Sequence, residues 1–142
     1  MAKNKWRIKE AVKIAEEAGL KALRTGAEAI LTEAIDETPV DTGTLRRSGT
    51  VTVGKLPDGA RVFEAAEAGT EHKDAFKEEL GKEKAVYISF NTPYARRQHE
   101  ELDYNHPRGG KAKYLEDPFN REKSKVLKYA DKQIKKALRE TK

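Results

Sequence analysis

The sequence predicts an α+β fold: a small, mainly antiparallel sheet packed by a long N-terminal helix and a C-terminal helix. Two observations carry this. Apolar and small side chains recur at steps of three and four through residues 6–37 and again through 117–140, the period of one helix face. Between those segments, Gly49–Gly54 and Ala85–Phe90 alternate with a period of two, which sets one row of side chains against a core. Helices at the two ends with strands only in the middle belong to the α+β class, not to an alternating βαβ architecture.

The first helix is traced by Ile8, Val12, Ala15, Gly19, Ala22, Gly26, Ile30 and Ala34, with Leu23, Ala27 and Leu31 beside them. Unbroken, it would be ~45 Å long, longer than a compact domain of this size is wide. It must therefore protrude or bend. Gly19 and Gly26 each cost ~1 kcal/mol of helix stability relative to alanine. Ala15, Ala18, Gly19, Ala22 and Gly26 form a small-residue stripe that lets another element come close. That element is either another subunit or, the favoured reading, the protein's own sheet.

Residues 38–48, Thr-Pro-Val-Asp-Thr-Gly-Thr-Leu-Arg-Arg-Ser, are the turn around which the chain is organised. Pro39 stops the helix because it disfavours the helical conformation at Thr38 and has no amide proton to donate. Asp41 and Thr42 can bond nearby amides through their side chains, and Gly43 accepts positive φ. Leu45 is the large apolar residue that can pin the turn to a core. Arg46 leaves the turn as a charged residue suited to an interface or an ion pair.

After the turn, residues 49–115 carry the sheet. Pro57-Asp58-Gly59 is a turn signal, and Ala60–Ala66 reads as a hairpin partner of the first strand. Residues 64–84 form a polar, acidic excursion whose large apolar anchors are Phe76 and Leu80. In the strand at 85–90, Val86, Ile88 and Phe90 lie on one face and Tyr87 and Ser89 on the other. Thr92-Pro93 ends that strand, and Tyr94–Leu102 reads as a short helix followed by a loop through Gly110. Lys113–Leu115 reads as extended. Asp117 is the expected N-cap of the last helix with Pro118 at its first position. Phe119, Val126, Leu127, Ala130, Ile134 and Leu138 supply its apolar face.

Two of these stretches carry a family resemblance. The helix followed by Thr38-Pro39-Val40-Asp41-Thr42-Gly43, then Leu45-Arg46 and Ser48, resembles the signature of tailed-bacteriophage tail-completion, or head–tail joining, proteins. Downstream, Asn91-Thr92-Pro93-Tyr94-Ala95, Gln98-His99-Glu100 and Gly110–Phe119 are similar to the strand end, acidic helix and aromatic-plus-proline helix entry of the same group. The resemblance spans roughly residues 30–125 and leaves 64–84 unmatched. It implies a structural virion protein at the head–tail neck, acting by assembly into a closed ring, with six copies the expected number. The implied partners are the protein itself, the neck connector or head-completion protein, and the tail tube protein. DNA would only pass through the lumen. It also marks Thr38, Pro39, Asp41, Thr42, Gly43, Leu45 and Arg46 as the assembly motif, and Tyr94, His99, Glu100, Tyr114 and Phe119 as interface candidates; read as residues alone, Tyr94 packs against the sheet and Tyr114 and Phe119 anchor the last helix.

Composition is compatible with that role. The 142 residues are most simply one domain, 1–142, with one core. Charged residues make up 37% of the chain, well above the ~25% of ordinary globular proteins, so much of it must be surface. With no cysteine, disulfides, thiolate metal sites and a cysteine nucleophile are excluded. No stretch approaches the ~20 apolar residues of a membrane span, and the lysine-rich N-terminus lacks the apolar run of a signal peptide. A soluble protein without membrane partners, made in the bacterial host cytoplasm, is expected.

Chemistry-bearing clusters are weak. His99, Asp103 and His106 could hold a metal only in a geometry that Pro107 and the glycines leave undefined. Glu100, Glu101 and Asp103 beside His99 are commonplace on a charged short helix. No nucleophile elbow, phosphate-cradling loop or nucleotide fingerprint is present. The expectation is a protein that is not an enzyme and uses no metal or cofactor. Arg108–Lys111 is a weak nucleic-acid signal. The stronger one is the last helix, where residues 121–142 carry nine Lys or Arg against three acids, a net of +6. That stripe is either a nucleic-acid or acidic-protein contact, the alternative function, or a solvated face whose lysines suit the helix C-terminus.

Overall fold

α1 runs unbroken from Ala2 to Glu37, 36 residues and thus about 54 Å. It is followed by α2 (Thr44–Arg47), β1 (Gly49–Val53), α3 (Gly59–Glu67), β2 (Val86–Phe90), α4 (Ala95–Glu100) and α5 (Glu116–Arg139). The computed structural model describes residues 2–40, 43–69, 81–102, 106 and 109–140, with side chains from Arg7 onward. Asp41, Thr42 and the excursion anchors Phe76 and Leu80 lie outside the described residues.

α1 and α5 pack as an antiparallel pair. Gly19 of α1 faces Ile134, Gly26 faces Val126, and Arg121 at the other end bonds Glu33 and Glu37. A Cβ placed on Gly26 would lie 2.5 Å from Val126 Cγ1, so glycine is what lets the two helices touch there. The small-residue stripe thus serves intrachain packing, but against the last helix and not against the sheet. Val126, Ala130 and Ile134 of the anticipated α5 face turn toward α1. Leu127 (63% exposed) and Leu138 (38%) are carried to the flanks by 3.6-residue geometry, whereas Phe119, seven residues before Val126 and on the same stripe, stays 46% exposed near the helix start.

β1 and β2 form a two-stranded antiparallel sheet with Gly49 opposite Phe90, Val51 opposite Ile88 and Val53 opposite Val86. Those residues share one face, where Leu31 of α1 and the Phe90 ring close on Gly49. Thr50 and Thr52 on the other face are also buried. β1 therefore pairs with a strand that follows the excursion, not with Ala60–Ala66, which is helical. Asp58 caps that helix by accepting from the amides of Ala60 (3.2 Å) and Arg61 (3.3 Å). Val62 and Ala66, four residues apart, bury its inner edge. Alanine-rich composition and a cap outweighed the two β-prone residues Val62 and Phe63. The chain returns at Gly81, whose N–H donates to the Val53 carbonyl (2.8 Å), while Gly54 N–H donates to that of Ala85 (2.8 Å).

The entry to α5 also differs from expectation. Residues 112–115 form a turn, with Lys113 at φ 55°. The helix begins at Glu116 behind Leu115, which makes no side-chain cap. Asp117 is the second helical residue and pairs with Lys111 instead of capping. Pro118 still sits in the first turn, where no amide proton is required.

Candidate functional site

The turn after α1 is a knot that ties four elements. Thr38 closes α1, its N–H donating to the Ile35 carbonyl (3.2 Å) and its hydroxyl to that of Ala34 (2.5 Å). Gly43 has φ 84°, the left-handed region that its position ahead of α2 requires. Leu45 is 4% exposed. Arg46 Nε donates to the Thr38 carbonyl (2.9 Å) and Nη2 to that of Asp36 (3.2 Å). A cation thus satisfies carbonyls that the end of α1 leaves open, at the negative end of its dipole. Within the chain, the guanidinium of Arg46, the residue expected at an interface or in an ion pair, meets these backbone oxygens. Arg47 Nε reaches the Ala66 carbonyl of α3 (2.8 Å). Ser48 Oγ donates to the Leu45 carbonyl (2.7 Å) and accepts from Asn91 N–H (3.0 Å). Asn91 Nδ2 in turn donates to the Ser48 carbonyl (2.8 Å).

The second motif folds onto the first. Leu45, Ala95 and Tyr114 form the buried cluster, with Phe90 and Leu115 against it. Tyr114 is 1% exposed, donates to the Ala95 carbonyl (2.7 Å), and meets the rings of Phe90 and His99 edge-on at 5.0 Å each. Gly109-Gly110 lies on Thr38-Pro39. Lys111 N–H donates to the Glu37 carbonyl (2.8 Å) and Val40 N–H to that of Gly109 (3.4 Å). The glycines of the 108–111 stretch are thus a docking device for backbone.

Of the interface candidates, Tyr114 is core, as its residue reading as an anchor of the last helix expects. Tyr94 (39%) and Phe119 (46%) are exposed, as is Glu100, and His99 is half-buried. Phe119, His99 and Glu100 come together on a groove of about 600 Å³. Leu23, Ala27 and Ile30 of α1 form one wall, and Val86 and Ile88 of β2 form the floor. Leu115, Phe119 and Val126 form the other wall, and among the described residues the ionisable side chains lining it are His99, Glu100 and Glu116. This groove was not legible in the sequence because its apolar lining is drawn from α1, β2, α5 and the turn at Leu115, whose residues each looked like ordinary core.

His99, Glu100 and Glu116 bring potential ligand atoms within 4.8 Å of one another. Asp103 of the anticipated cluster lies outside the described residues. Both nitrogens of His99 are engaged: Nε2 accepts from Glu116 N–H (3.2 Å), so Nδ1 carries the proton and donates to Glu100 Oε1 (2.8 Å). A metal would have to break this arrangement. Lys113 binds Glu100 and Glu116 (3.2 Å) from outside the groove. The hydrogen bond from Lys113, and then that from His99, hold the Glu100 carboxyl below its ordinary value of 4.5. Lys111 does the same for Asp117.

A depressed folded-state value stabilises the fold above the ordinary carboxylate value, and that contribution is lost as pH falls through the folded value. Lys113→Ala removes the leading cause at Glu100. The urea midpoints of parent and variant should therefore differ near neutral pH and converge as pH drops below 4.5. A gap that stays constant under that acidification would show the pair to be without effect.

On α5, Lys125, Lys128, Lys132, Lys135, Lys136 and Arg139 are all exposed. Their spacing of three and four residues places them on one face, turned away from α1. Lys125 and Lys135 have acidic neighbours on the same helix, Glu122 (3.9 Å) and Asp131 (2.9 Å). No helix among the described residues is long and apolar enough to cross a membrane.

Residues 2–117 match a family model described as "Bacteriophage HK97-gp10, putative tail-component". No curated protein and no solved structure matches the chain significantly.

Proposed function

Because the chain belongs to the HK97-gp10-like family of phage tail components, we propose that it is a structural protein of a tailed phage or prophage that assembles as a ring at the head–tail neck. The ring, of six copies, would contact the neck connector or head-completion protein on one side and the tail tube on the other. DNA would pass through its lumen. The protein works by assembly and not by turnover, and needs no cofactor.

The observation that carries this reading is the family match over residues 2–117, which takes in the first motif and all of the second except Pro118 and Phe119. The fold supports it by its economy: the described motif residues Thr38, Gly43, Leu45, Arg46 and Ser48 are used in the knot, and the outer faces of α1 and α5 stay open for neighbours. A tail-closing subunit needs an interface whose rotation closes, since a non-closing one makes filaments. On so charged a surface that interface is polar and modest, so the free chain should be largely monomeric by light scattering. A phage lacking this chain should accumulate unjoined heads and tails. Normal yields of joined particles would contradict the proposal.

The exposed α5 stripe favours one rival, nucleic-acid binding. Such binding should fall with a log–log salt slope near −0.9 per phosphate neutralised. We expect weak, sequence-indifferent binding that vanishes near physiological salt. Submicromolar binding there, abolished by charge reversal at Lys128 and Lys132, would favour the rival.

A further inference from the structure

The apolar seam of α1 is longer than its partner. With Gly19 beside Ile134 in an antiparallel pair, α5 ends at Arg139 near residue 14 of α1. Residues 2–13 therefore overhang by about 18 Å. The seam continues along that overhang through Ile8 and Val12, one turn apart on one face, which are 62% and 52% exposed. The same stretch carries Lys3, Lys5, Arg7, Lys9 and Lys13 against Glu10 alone. Further along the molecule lies the groove, an apolar trough whose lining carboxylates, Glu100 and Glu116, are both bound by Lys113.

We infer that these are the two halves of one head-to-tail contact: the Ile8/Val12 edge of one copy lies in the groove of the next copy of this chain. An amphipathic helix seated in an apolar groove is a standard mode of recognition, anchored by residues at i and i+4. Arg7, Lys9 and Lys13 of the overhang suit Glu100 and Glu116 at the rim, where they would share or displace the pairing with Lys113. Because donor and acceptor surfaces are different patches on one chain, the contact is heterologous and generates a ring when its rotation closes. Closure, and only closure, rests on the ring reading above.

The chain has no native cysteine, so Val12→Cys and Phe119→Cys each introduce a single thiol at an exposed position. Full-length variants are mixed at high concentration under oxidising conditions and resolved by mass. The mixture should give a disulfide dimer that neither variant gives alone. Adding Ile8→Asp to the Val12→Cys chain should cut the yield about tenfold, because a charge would have to enter the trough. Ile8 is exposed, so the fold should survive. A Val12→Cys homodimer as the main product would mean a tip-to-tip contact and overturn the inference. So would a mixture yielding no more than the separate variants. If the mixed dimer forms while the chain is absent from the neck of imaged particles, the contact stands and the ring reading falls. If the chain rings the neck without that crosslink, the reverse holds.

Discussion

Gly110→Ala is expected to lose about 2–5 kcal/mol of stability, combining a strained backbone with an overpacked contact. Gly110 has φ 88°, and a Cβ there would lie 2.4 Å from Pro39 Cα and 2.5 Å from Pro39 N. Both are backbone atoms held by the end of α1, so neither can move aside as a flexible side chain would. The neighbouring Gly109 is the control. Its φ of 103° is equally unfavourable for alanine, but nothing lies within 4 Å of its Cβ position. Gly109→Ala should therefore cost only the backbone term, about 1–2 kcal/mol. Urea midpoints and amide exchange at Lys111, whose N–H donates to Glu37, report the global and local losses. Equal effects at the two glycines would mean that the docking of this loop on Thr38-Pro39 does not contribute.

Tyr114→Ala should cost about 3–5 kcal/mol, the usual range for removing an enclosed aromatic side chain. The ring is 1% exposed and is the shared wall of the Leu45 cluster, the Phe90 edge contact and the His99 edge contact. Tyr114→Phe keeps those contacts and deletes only the hydroxyl, removing its hydrogen bond to the Ala95 carbonyl. That variant should lose about 1 kcal/mol. Burial holds the phenol above its ordinary range, with Glu100 and Tyr94 adding to the shift, so the parent ring should resist ionisation until the protein unfolds. Alanine and phenylalanine variants of equal stability would contradict the assigned packing.

The parts of this fold legible in the sequence are those set by local pattern. The periods of α1, β1, β2 and α5 stand in the residues themselves, and Pro39 and Gly43 mark the turn by their own stereochemistry. What was not legible depends on tertiary contact. Ala60–Ala66 holds β-prone and helix-prone residues together, and the cap from Asp58 decided between them. Lys113–Leu115 reads as extended, but Lys113 is held in a left-handed turn by its amide on the His99 carbonyl and its side chain on Glu100 and Glu116. Arg46 has the composition of a surface charge, and only the fold reveals the carbonyls it meets.

The candidate site divides the same way. The motif residues Thr38, Pro39, Gly43 and Leu45 could be picked out in advance, but as signs of importance and not of role. In the structure they secure the helix end and the core. The surface that suits a neighbour is elsewhere, in the groove and the overhang. One sequence signal pointed there: the α1 seam spans Ile8 to Ala34, longer than the seam that Phe119 to Leu138 could cover.

The most direct test of the ring at the neck is an image of the assembled particle at a resolution that separates helices. The expected image is a closed ring at the head–tail junction in which each subunit shows the α1–α5 pair, with the projecting end of α1 in the groove of the adjacent copy. A neck resolved to the same level with no density for this chain would contradict it.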